Sequence, residues 1–288
     1  MDSPLQDQPA RRPLRAPSPL LRAMESTAVF EIGALVASSP VLRLIGRGDR
    51  HPVLVLPGFT ASDRSTVPLR AALRNLGYWA HGWGLGSNLG PSDRILDGMT
   101  QRLADLHERH GRKVSLVGWS LGGMYAREMA RENPEAVRQV VTLGSPFRML
   151  EGDRSTASTI ADRLTPMFSA RLLTMQRPEG DKAPLEVPST AIYTRTDGIV
   201  RWFVCINELA PYQENIEVRG SHSGLGYNPA VVLAVADRLR QPEGEWHPFV
   251  PPVWARSLYP RSTSWHDSRP QRHDSRPQRR SSVGARAR

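Results

Sequence analysis

The chain has 288 residues, which is enough for one large α/β domain with a full hydrophobic core. Its formal charge is +10, but residues 259–288 contain eight Arg and two Asp, and residues 1–22 contain four Arg and two Asp. The body between these two ends is therefore close to neutral, which excludes a uniformly basic, nucleic-acid-binding body. Specific recognition of nucleic acid is not expected.

The cysteine content and the lack of apolar targeting segments predict a cytoplasmic protein; a secreted protein without disulfides is the alternative that the cysteine content leaves open. Cys205 is the sole cysteine, so no intrachain disulfide can form. Residues 1–22 lack the apolar run of a signal peptide, and no stretch reaches the ~18 consecutive apolar residues of a membrane span.

Both ends of the chain are predicted to be disordered, with an ordered body at 23–258. Residues 1–22 are rich in Pro and Arg. Residues 259–288 include the repeat HDSRPQR, at 266–272 and again at 273–279, with no apolar residue in either copy. We expect this basic tail to be a solvated arm; weak contact with anionic membrane surfaces is the alternative.

The body begins with an apolar segment and continues as alternating strands and helices. Residues 25–44 predict a helix that packs on the body; a membrane-surface helix is the alternative, but the segment lacks a basic face. The predicted strands are 53–56, 78–83, 114–119, 137–143, 190–194 and 216–219. The predicted helices are 67–76, 92–110, 121–132, 200–209 and 230–239. This alternation predicts an α/β fold, with a mostly parallel central sheet of about six strands and helices on both faces.

A glycine-flanked serine lies between a predicted strand and a predicted helix. Residues 118–122 read Gly-Trp-Ser-Leu-Gly and match G-x-S-x-G, a motif that requires this strand-to-helix context. The turn lifts the hydroxyl of Ser120 out of the sheet and brings Gly118 and Gly122 together, so both must be small. An incidental serine in a glycine-rich turn is the alternative, but the context favours Ser120 as a nucleophile.

A serine nucleophile needs a base, and the base needs an orienting carboxylate. Asp197 and His222 each follow a predicted strand, and the carboxyl ends of parallel strands meet at one edge of a sheet. Asp153 and Asp181 lie where no strand positions them and are interpreted as solvated. His247 follows the last helix. Asp197 and His222 are therefore the preferred partners.

An anionic tetrahedral intermediate also requires hydrogen-bond donors. One is predicted to be the backbone N–H of Leu121, directly after the nucleophile. The second is predicted to be the N–H of Phe59, in the Pro-Gly turn after the first strand, with Thr60 as the alternative. An ordinary Pro-Gly turn without a role in catalysis remains the other interpretation.

Taken together, these motifs resemble the lipases and esterases of the α/β-hydrolase superfamily. The resemblance covers about residues 50–240 and rests on the motifs at 57–59, 118–123, 196–200 and 221–224. It implies a triad of Ser120, Asp197 and His222, with the amides of Phe59 and Leu121 as the oxyanion hole. It also implies hydrolysis of carboxylic esters through an acyl-enzyme, without a metal or other cofactor.

The resemblance leaves the substrate open. Many lipases have His where Pro57 stands, and His or Tyr where Trp119 stands. The run Gly-Trp-Ser-Leu-Gly-Gly also resembles short-acyl carboxylesterases, including those that act on carrier-bound acyl chains. A thioesterase or acyltransferase with the same triad is therefore the alternative. A non-catalytic binding scaffold is the alternative of another class, and the complete triad argues against it.

A small helical cap is expected at about 147–187, where no strand is predicted and apolar residues recur at helical spacing. Inert packing is one interpretation of this segment, but in this fold the same position often carries a lid. Its apolar side chains would then contact a small-molecule or lipid ester. The predicted substrate contacts are Trp119, Met167, Phe168 and Leu172.

Overall fold

A six-stranded β-sheet forms the centre of the protein. The computed structural model describes residues 13–42, 45–169, 177–208 and 210–260. The strands are β1 (Pro52–Leu56), β2 (Trp79–Gly82), β3 (Val114–Trp119), β4 (Val137–Leu143), β5 (Ser189–Tyr193) and β6 (Gln213–Glu217). They lie in the order β2-β1-β3-β4-β5-β6, and every neighbouring pair is parallel. The predicted parallel sheet of about six strands is confirmed.

Seven α-helices accompany the sheet in the described ranges. They are α1 (Pro19–Met24), α2 (Ala28–Leu42), α3 (Val67–Asn75), α4 (Asp93–His110), α5 (Leu121–Glu132), α6 (Ser158–Leu164) and α7 (Pro229–Arg240). None of the helices found in these ranges is long and apolar enough to cross a membrane.

Helices cover both faces of the sheet because the central strands are apolar on both faces. All five residues of β1 are buried. Val53 and Val55 belong to a core shared with α2, α3 and α7, whereas Leu54 and Leu56 belong to a second core shared with α4 and α5. Successive side chains of a strand point to opposite faces, so a strand that is covered on both sides forms a continuous apolar run.

The register of the central strands brings their carboxyl ends to one level. Leu56 at the end of β1 pairs with Gly118, and Trp119 at the end of β3 pairs with Leu143 at the end of β4. The segments after these three strands therefore emerge side by side, and Ser120 begins the middle one. The loops after β5 and β6 emerge at the same edge because all six strands are parallel.

The predicted helix at 200–209 is wrong. In residues 200–208, the part of this segment that the structure describes, the helical content is a single 3-10 turn, Trp202–Val204. Its apolar residues, which include Cys205 and Ile206, are buried in a cluster with Tyr193 instead of lying on one helical face. Burial on several sides produces the same apolar density as a helix, so the sequence pattern does not separate the two.

The last strand begins earlier than predicted. β6 spans Gln213–Glu217 rather than 216–219. Its polar residues take part in side-chain bonds that the apolar pattern does not reveal. Asn215 Oδ1 accepts from the backbone N–H of Asn207 at 2.7 Å, and Asn215 Nδ2 donates to the carbonyl of Asn207 at 2.9 Å.

The N-terminal arm is not detached in its described part, residues 13–22, contrary to the prediction of disorder. The backbone N–H of Leu14 donates to Asp153 Oδ1 at 2.8 Å, so Asp153 is a buried anchor instead of a solvated side chain. Arg201 donates to the carbonyls of Arg15 and Ala16, at 3.0 and 3.2 Å. Residues 1–12 lie outside the described ranges.

At the other end, ordered packing continues past the predicted boundary at residue 258. The hydroxyl of Tyr259 donates to the carbonyl of Ala230 at 2.7 Å, and its ring packs on Phe249 at 4.9 Å. The repeat and the rest of the basic tail, residues 261–288, lie outside the described ranges.

The described part of the expected cap contains α6 and short 3-10 turns. A buried charge cluster ties this segment to α5. Arg127 on α5 donates to Glu179 in the cap segment, to Ser189 Oγ at 3.0 Å and to Asn207 Oδ1 at 2.8 Å. Its guanidinium also stacks 3.9 Å above the ring of Phe147. The cap segment is therefore anchored to the helix that follows Ser120.

A second polar network lies at the amino edge of the sheet. The Nδ1–H of buried His51 donates to Asp49 Oδ1 at 2.5 Å, and the hydroxyl of buried Ser115 donates to His51 Nε2 at 2.9 Å. Arg138 contacts the other oxygen of Asp49 at 2.9 Å. Burial, followed by the charge of Arg138, lowers the pKa of His51 to about 4 despite the neighbouring carboxylate.

This lowered pKa predicts that His51 makes the protein less stable in acid. An unfolded histidine takes up a proton below about pH 6.5, while folded His51 stays neutral down to about pH 4. The free energy of unfolding should therefore fall by about 2 kcal/mol between pH 7 and pH 5 from this residue alone. Urea unfolding of the wild type and of His51→Gln at both pH values measures the difference.

The variant should lose less stability than the wild type over this interval, whereas His247→Gln, at an exposed histidine, should keep the wild-type loss. Equal losses in the wild type and in His51→Gln would contradict the assignment.

Candidate active site

Ser120 occupies a strained turn between β3 and α5. Its backbone has φ 53° and ψ −121°, which is unusual for a residue with a side chain. Its N–H donates to the carbonyl of Leu143 at 2.8 Å, which ties the turn to the end of β4. Leu121 directly follows as the first residue of α5, so the helix N-terminus points its partial positive charge towards the Ser120 side chain.

The glycines around Ser120 are required by close backbone contacts. A Cβ atom on Gly118 would collide with the backbone of Gly122 and Gly123. One on Gly122 would collide with the carbonyl of Leu56 and lie 2.7 Å from that of Pro57. The turn after β3 therefore packs directly against the end of β1, and no side chain fits between them.

Asp197 and His222 form a buried hydrogen-bonded pair. The Nδ1–H of His222 donates to Asp197 Oδ2 at 2.6 Å. The other carboxylate oxygen of Asp197 accepts the backbone N–H groups of Ile199 and Val200, each at 2.8 Å. These bonds fix the carboxylate, and the carboxylate in turn fixes the imidazole so that Nε2 carries no proton when the ring is neutral.

The pKa of His222 is raised above the ordinary value for histidine. Burial alone would lower it, but the charge and the hydrogen bond of Asp197, together with the charge of Glu25, more than offset burial. The Asp197–His222 pair therefore favours the charged form of the imidazole, which is the form that a proton-accepting group adopts.

His222 lies at the same sheet edge as Ser120. The indole N–H of Trp119 donates to the carbonyl of His222 at 3.1 Å. A Cβ on Gly144, the residue after β4, would lie 3.0 Å from His222 Nδ1, so the imidazole packs against this backbone. Ser120 Oγ and His222 Nε2 are not hydrogen-bonded to each other in this structure. Such bonds are commonly long before a substrate binds.

The predicted donors Phe59 and Leu121 lie on the two segments that meet at this edge. Leu121 has no intrahelical acceptor because it begins α5. The Phe59 loop approaches Ser120 closely: a Cβ on Gly58 would lie 3.2 Å from Ser120 Cβ and 3.9 Å from Ser120 Oγ. The alternative donor, the N–H of Thr60, is already bonded to the carbonyl of Asn88 at 2.7 Å, which leaves Phe59 as the better candidate.

Asn88 holds the Phe59 loop in place, and sequence reasoning missed it. This fully buried side chain donates to the carbonyl of Pro57 at 2.9 Å and accepts from the hydroxyl of Tyr125 at 3.2 Å. Its backbone N–H donates to the carbonyl of Ala61 at 2.7 Å. A polar residue within a glycine-rich loop gives no periodic signal, and only the position of this loop beside β1 reveals its role.

Three of the predicted substrate contacts lie in the described ranges, and they pack against different parts of the protein. Trp119 is largely buried: its ring packs edge-on against Tyr227 at 5.4 Å, and its indole N–H donates to the carbonyl of His222. Met167 is exposed, and Phe168 packs against Gly90. Leu172 lies outside the described ranges.

The network of Ser115, His51 and Asp49 contains the same three residue types, but it is not a second nucleophilic site. Ser115 and His51 are fully buried within the sheet, so no substrate reaches the hydroxyl. The lowered pKa of His51 also opposes proton uptake, whereas the raised pKa of His222 favours it. Burial and neighbouring charge therefore distinguish the two clusters.

The described residues offer no alternative chemical centre with metal-ligand geometry. Within 13–42, 45–169, 177–208 and 210–260, no group of three His, Cys, Asp or Glu side chains is arranged to hold a metal ion.

An open cavity of about 560 Å³ lies beside β2 and the segment before β1, at the amino edge of the sheet and away from Ser120.

Comparison with known proteins agrees with this architecture. Residues 53–280 match the Alpha/beta hydrolase family. Aspergillus fumigatus lipase B is similar in structure, with a TM-score of 0.51 and 17% identity over 68% of this chain; the match spans only 54% of the fungal lipase. Paleococcus ferrophilus monoacylglycerol lipase gives a TM-score of 0.48 and 15% identity, over 67% of this chain and 95% of that one. Curated proteins give no significant match.

The similarity to Aspergillus fumigatus lipase B, at 17% identity, indicates a shared fold and no more. The family match carries more weight, because it covers well over half of the sequence. It includes β1 from its second residue, Val53, and the whole of β2 to β6. Together with the parallel sheet and the strained serine turn, it confirms the family that the motifs predicted: the chain belongs to the alpha/beta hydrolase family.

Proposed function

We propose that the protein is a serine hydrolase that cleaves carboxylic esters through an acyl-enzyme intermediate. The observation that carries this proposal is the fixed Asp197–His222 pair, which lies at the same sheet edge as the strained turn of Ser120. Membership of a hydrolase family supports the general reaction class. The choice of esters rests on the resemblance of the motifs to lipases and esterases.

In the proposed reaction, His222 Nε2 takes the proton of Ser120 as the hydroxyl attacks the ester carbonyl. Asp197 orients the imidazole and stabilises its charged form. The amides of Phe59 and Leu121 donate to the oxyanion of the tetrahedral intermediate. His222 then protonates the leaving alcohol, and a water molecule activated by the same imidazole releases the acid and restores Ser120.

The apolar side chains of the cap segment are proposed to contact the acyl group. Of the described candidates, Phe168 is the best placed, because it packs against Gly90 in the loop between β2 and α4. Gly90 lies two residues after Asn88, which anchors the Phe59 loop. A small-molecule or lipid ester is the proposed substrate, and the cytoplasm remains the proposed location.

Replacing the nucleophile provides the first test. A fluorophosphonate probe should label the wild type at Ser120, and Ser120→Ala should abolish labelling and reduce kcat for a p-nitrophenyl ester by on the order of 10⁴-fold or more. Ser257→Ala, at an exposed serine far along the chain, is the matched control and should keep both. Near wild-type turnover by Ser120→Ala would refute the mechanism.

The base provides a second test. His222→Ala should lower kcat by on the order of 10³-fold or more, because Ser120 then has no proton acceptor. His247→Ala changes an exposed histidine and should stay within about twofold of the wild type. In the wild type, kcat/KM should fall in acid with a midpoint above pH 6.5, because the base must be neutral and the pKa of His222 is raised. A larger loss in His247→Ala would mean that the base is wrongly assigned.

The basic tail is proposed to act outside the chemical step. Removal of residues 261–288, which leaves Tyr259 in its packed position, should change kcat/KM for a neutral soluble ester by no more than about twofold. The same truncation should weaken binding to anionic vesicles, and the binding of the full chain should decrease as salt rises. A large fall in ester turnover with an unchanged circular dichroism spectrum would show that the tail reaches the active site.

A further inference from the structure

The segment 13–31, here called the N-terminal strap, passes over the loop that carries Asp197. A Cβ on Gly198 would collide with the carbonyl of Leu21 and lie 2.9 Å from Arg22 Cα, so the strap backbone lies directly on the residue after Asp197. The strap is held at its beginning by the bond of Leu14 to Asp153. It is therefore part of the wall of the candidate active site.

Glu25 of the strap joins the two loops that carry the base and its carboxylate. Glu25 Oε1 accepts the backbone N–H of Gly198 at 2.8 Å and that of His222 at 3.1 Å. Glu25 Oε2 accepts the N–H of Ser223 at 2.7 Å. Hydrogen bonds to a charged acceptor are stronger than neutral ones, and here a single carboxylate receives three of them from two separate loops.

A second strap carboxylate, Glu31, braces the histidine loop alone. Glu31 Oε1 accepts from the backbone N–H and the hydroxyl of Ser221, at 2.9 and 2.7 Å. Glu31 Oε2 accepts from the side chain of Asn228 at 2.9 Å. Asn228 is the residue that caps the N-terminus of α7. Glu31 therefore offers a matched comparison, since it supports the loop of His222 but makes no bond to the loop of Asp197.

We propose that Glu25 is a positioning residue of the active site, which holds the Asp197 and His222 loops together and places a negative charge beside the imidazole. This inference rests on the proposed function, because a stabilised charged imidazole affects turnover only if His222 accepts the proton of Ser120. The charge of Glu25 stabilises that state in addition to Asp197. Asp197 and Glu25 are the carboxylates that raise the pKa of His222. Glu31 instead accepts hydrogen bonds from Ser221, the residue before His222.

The test compares Glu25→Gln, Glu25→Asp and Glu31→Gln in the full chain. A glutamine carboxamide has one acceptor oxygen and no charge, so it keeps at most part of the three-amide contact. Glu25→Gln should lower kcat about tenfold with KM within about twofold, and should move the acid limb of kcat/KM to lower pH. Glu25→Asp keeps the charge but is shorter, and should fall between Glu25→Gln and the wild type.

A readout that does not depend on turnover is the pKa of His222 itself. It is measured by NMR titration of ¹⁵N-histidine-labelled protein, with the signal assigned from its loss in His222→Ala. Glu25→Gln should lower this pKa clearly, and Glu31→Gln should shift it less. Thermal unfolding followed by circular dichroism reports whether each variant is folded.

Three outcomes overturn the inference. The first is a folded Glu25→Gln with wild-type kcat and wild-type pKa of His222. The second is an equal loss of kcat in Glu25→Gln and Glu31→Gln without any change in pKa, which would indicate a purely structural role. The third applies if Glu25→Gln does not fold: Glu25→Asp then decides, and wild-type kcat and pKa in that variant reject the proposal. Turnover by Ser120→Ala would instead reject the proposed function, while the NMR titration would still report on Glu25 and His222.

Discussion

The turn at Ser120 depends on the close approach of two backbones, the end of β1 and the first turn of α5. Gly118 and Gly122 leave no space for a Cβ atom between them, and the positive φ of Ser120 is the geometry that this approach imposes. The bond from the Ser120 amide to Leu143 ties the strained turn to the sheet. The other parts of the candidate site lie around this fixed point, on loops that leave the same edge of the sheet.

Two clusters of Ser, His and Asp illustrate how position decides chemistry in one fold. Ser115 and His51 are enclosed at the amino edge, beside Arg138, where a neutral imidazole is favoured. His222 lies at the carboxyl edge between two carboxylates, where a charged imidazole is favoured. Both clusters contain a hydrogen bond from a histidine Nδ1–H to an aspartate, but the electrostatic environments of the two imidazoles are opposite.

Segments outside the sheet are held by charged side chains that bind backbone groups or one another. Glu25 and Glu31 attach the N-terminal strap to the loops after β5 and β6. Arg127 and Glu179 attach the cap segment to α5, the helix that begins directly after Ser120. Removing one partner of such a contact is costly, because a charge or a hydrogen-bonding group is then left without its partner. The segments that frame the candidate site are therefore coupled to its geometry.

The sequence alone determined the sheet, most of its helices and the family, because buried parallel strands form apolar runs and the serine turn demands glycines at fixed spacing. It also singled out Ser120, Asp197 and His222 from the order of strand ends. It did not reveal Glu25 or Asn88, and it misjudged Asp153 and the segment 200–209. Glu25, Asn88 and Asp153 act through contacts with segments distant along the chain, in which one carboxylate or amide bonds to backbone groups. Such contacts leave no periodic pattern, so only the tertiary structure decided them.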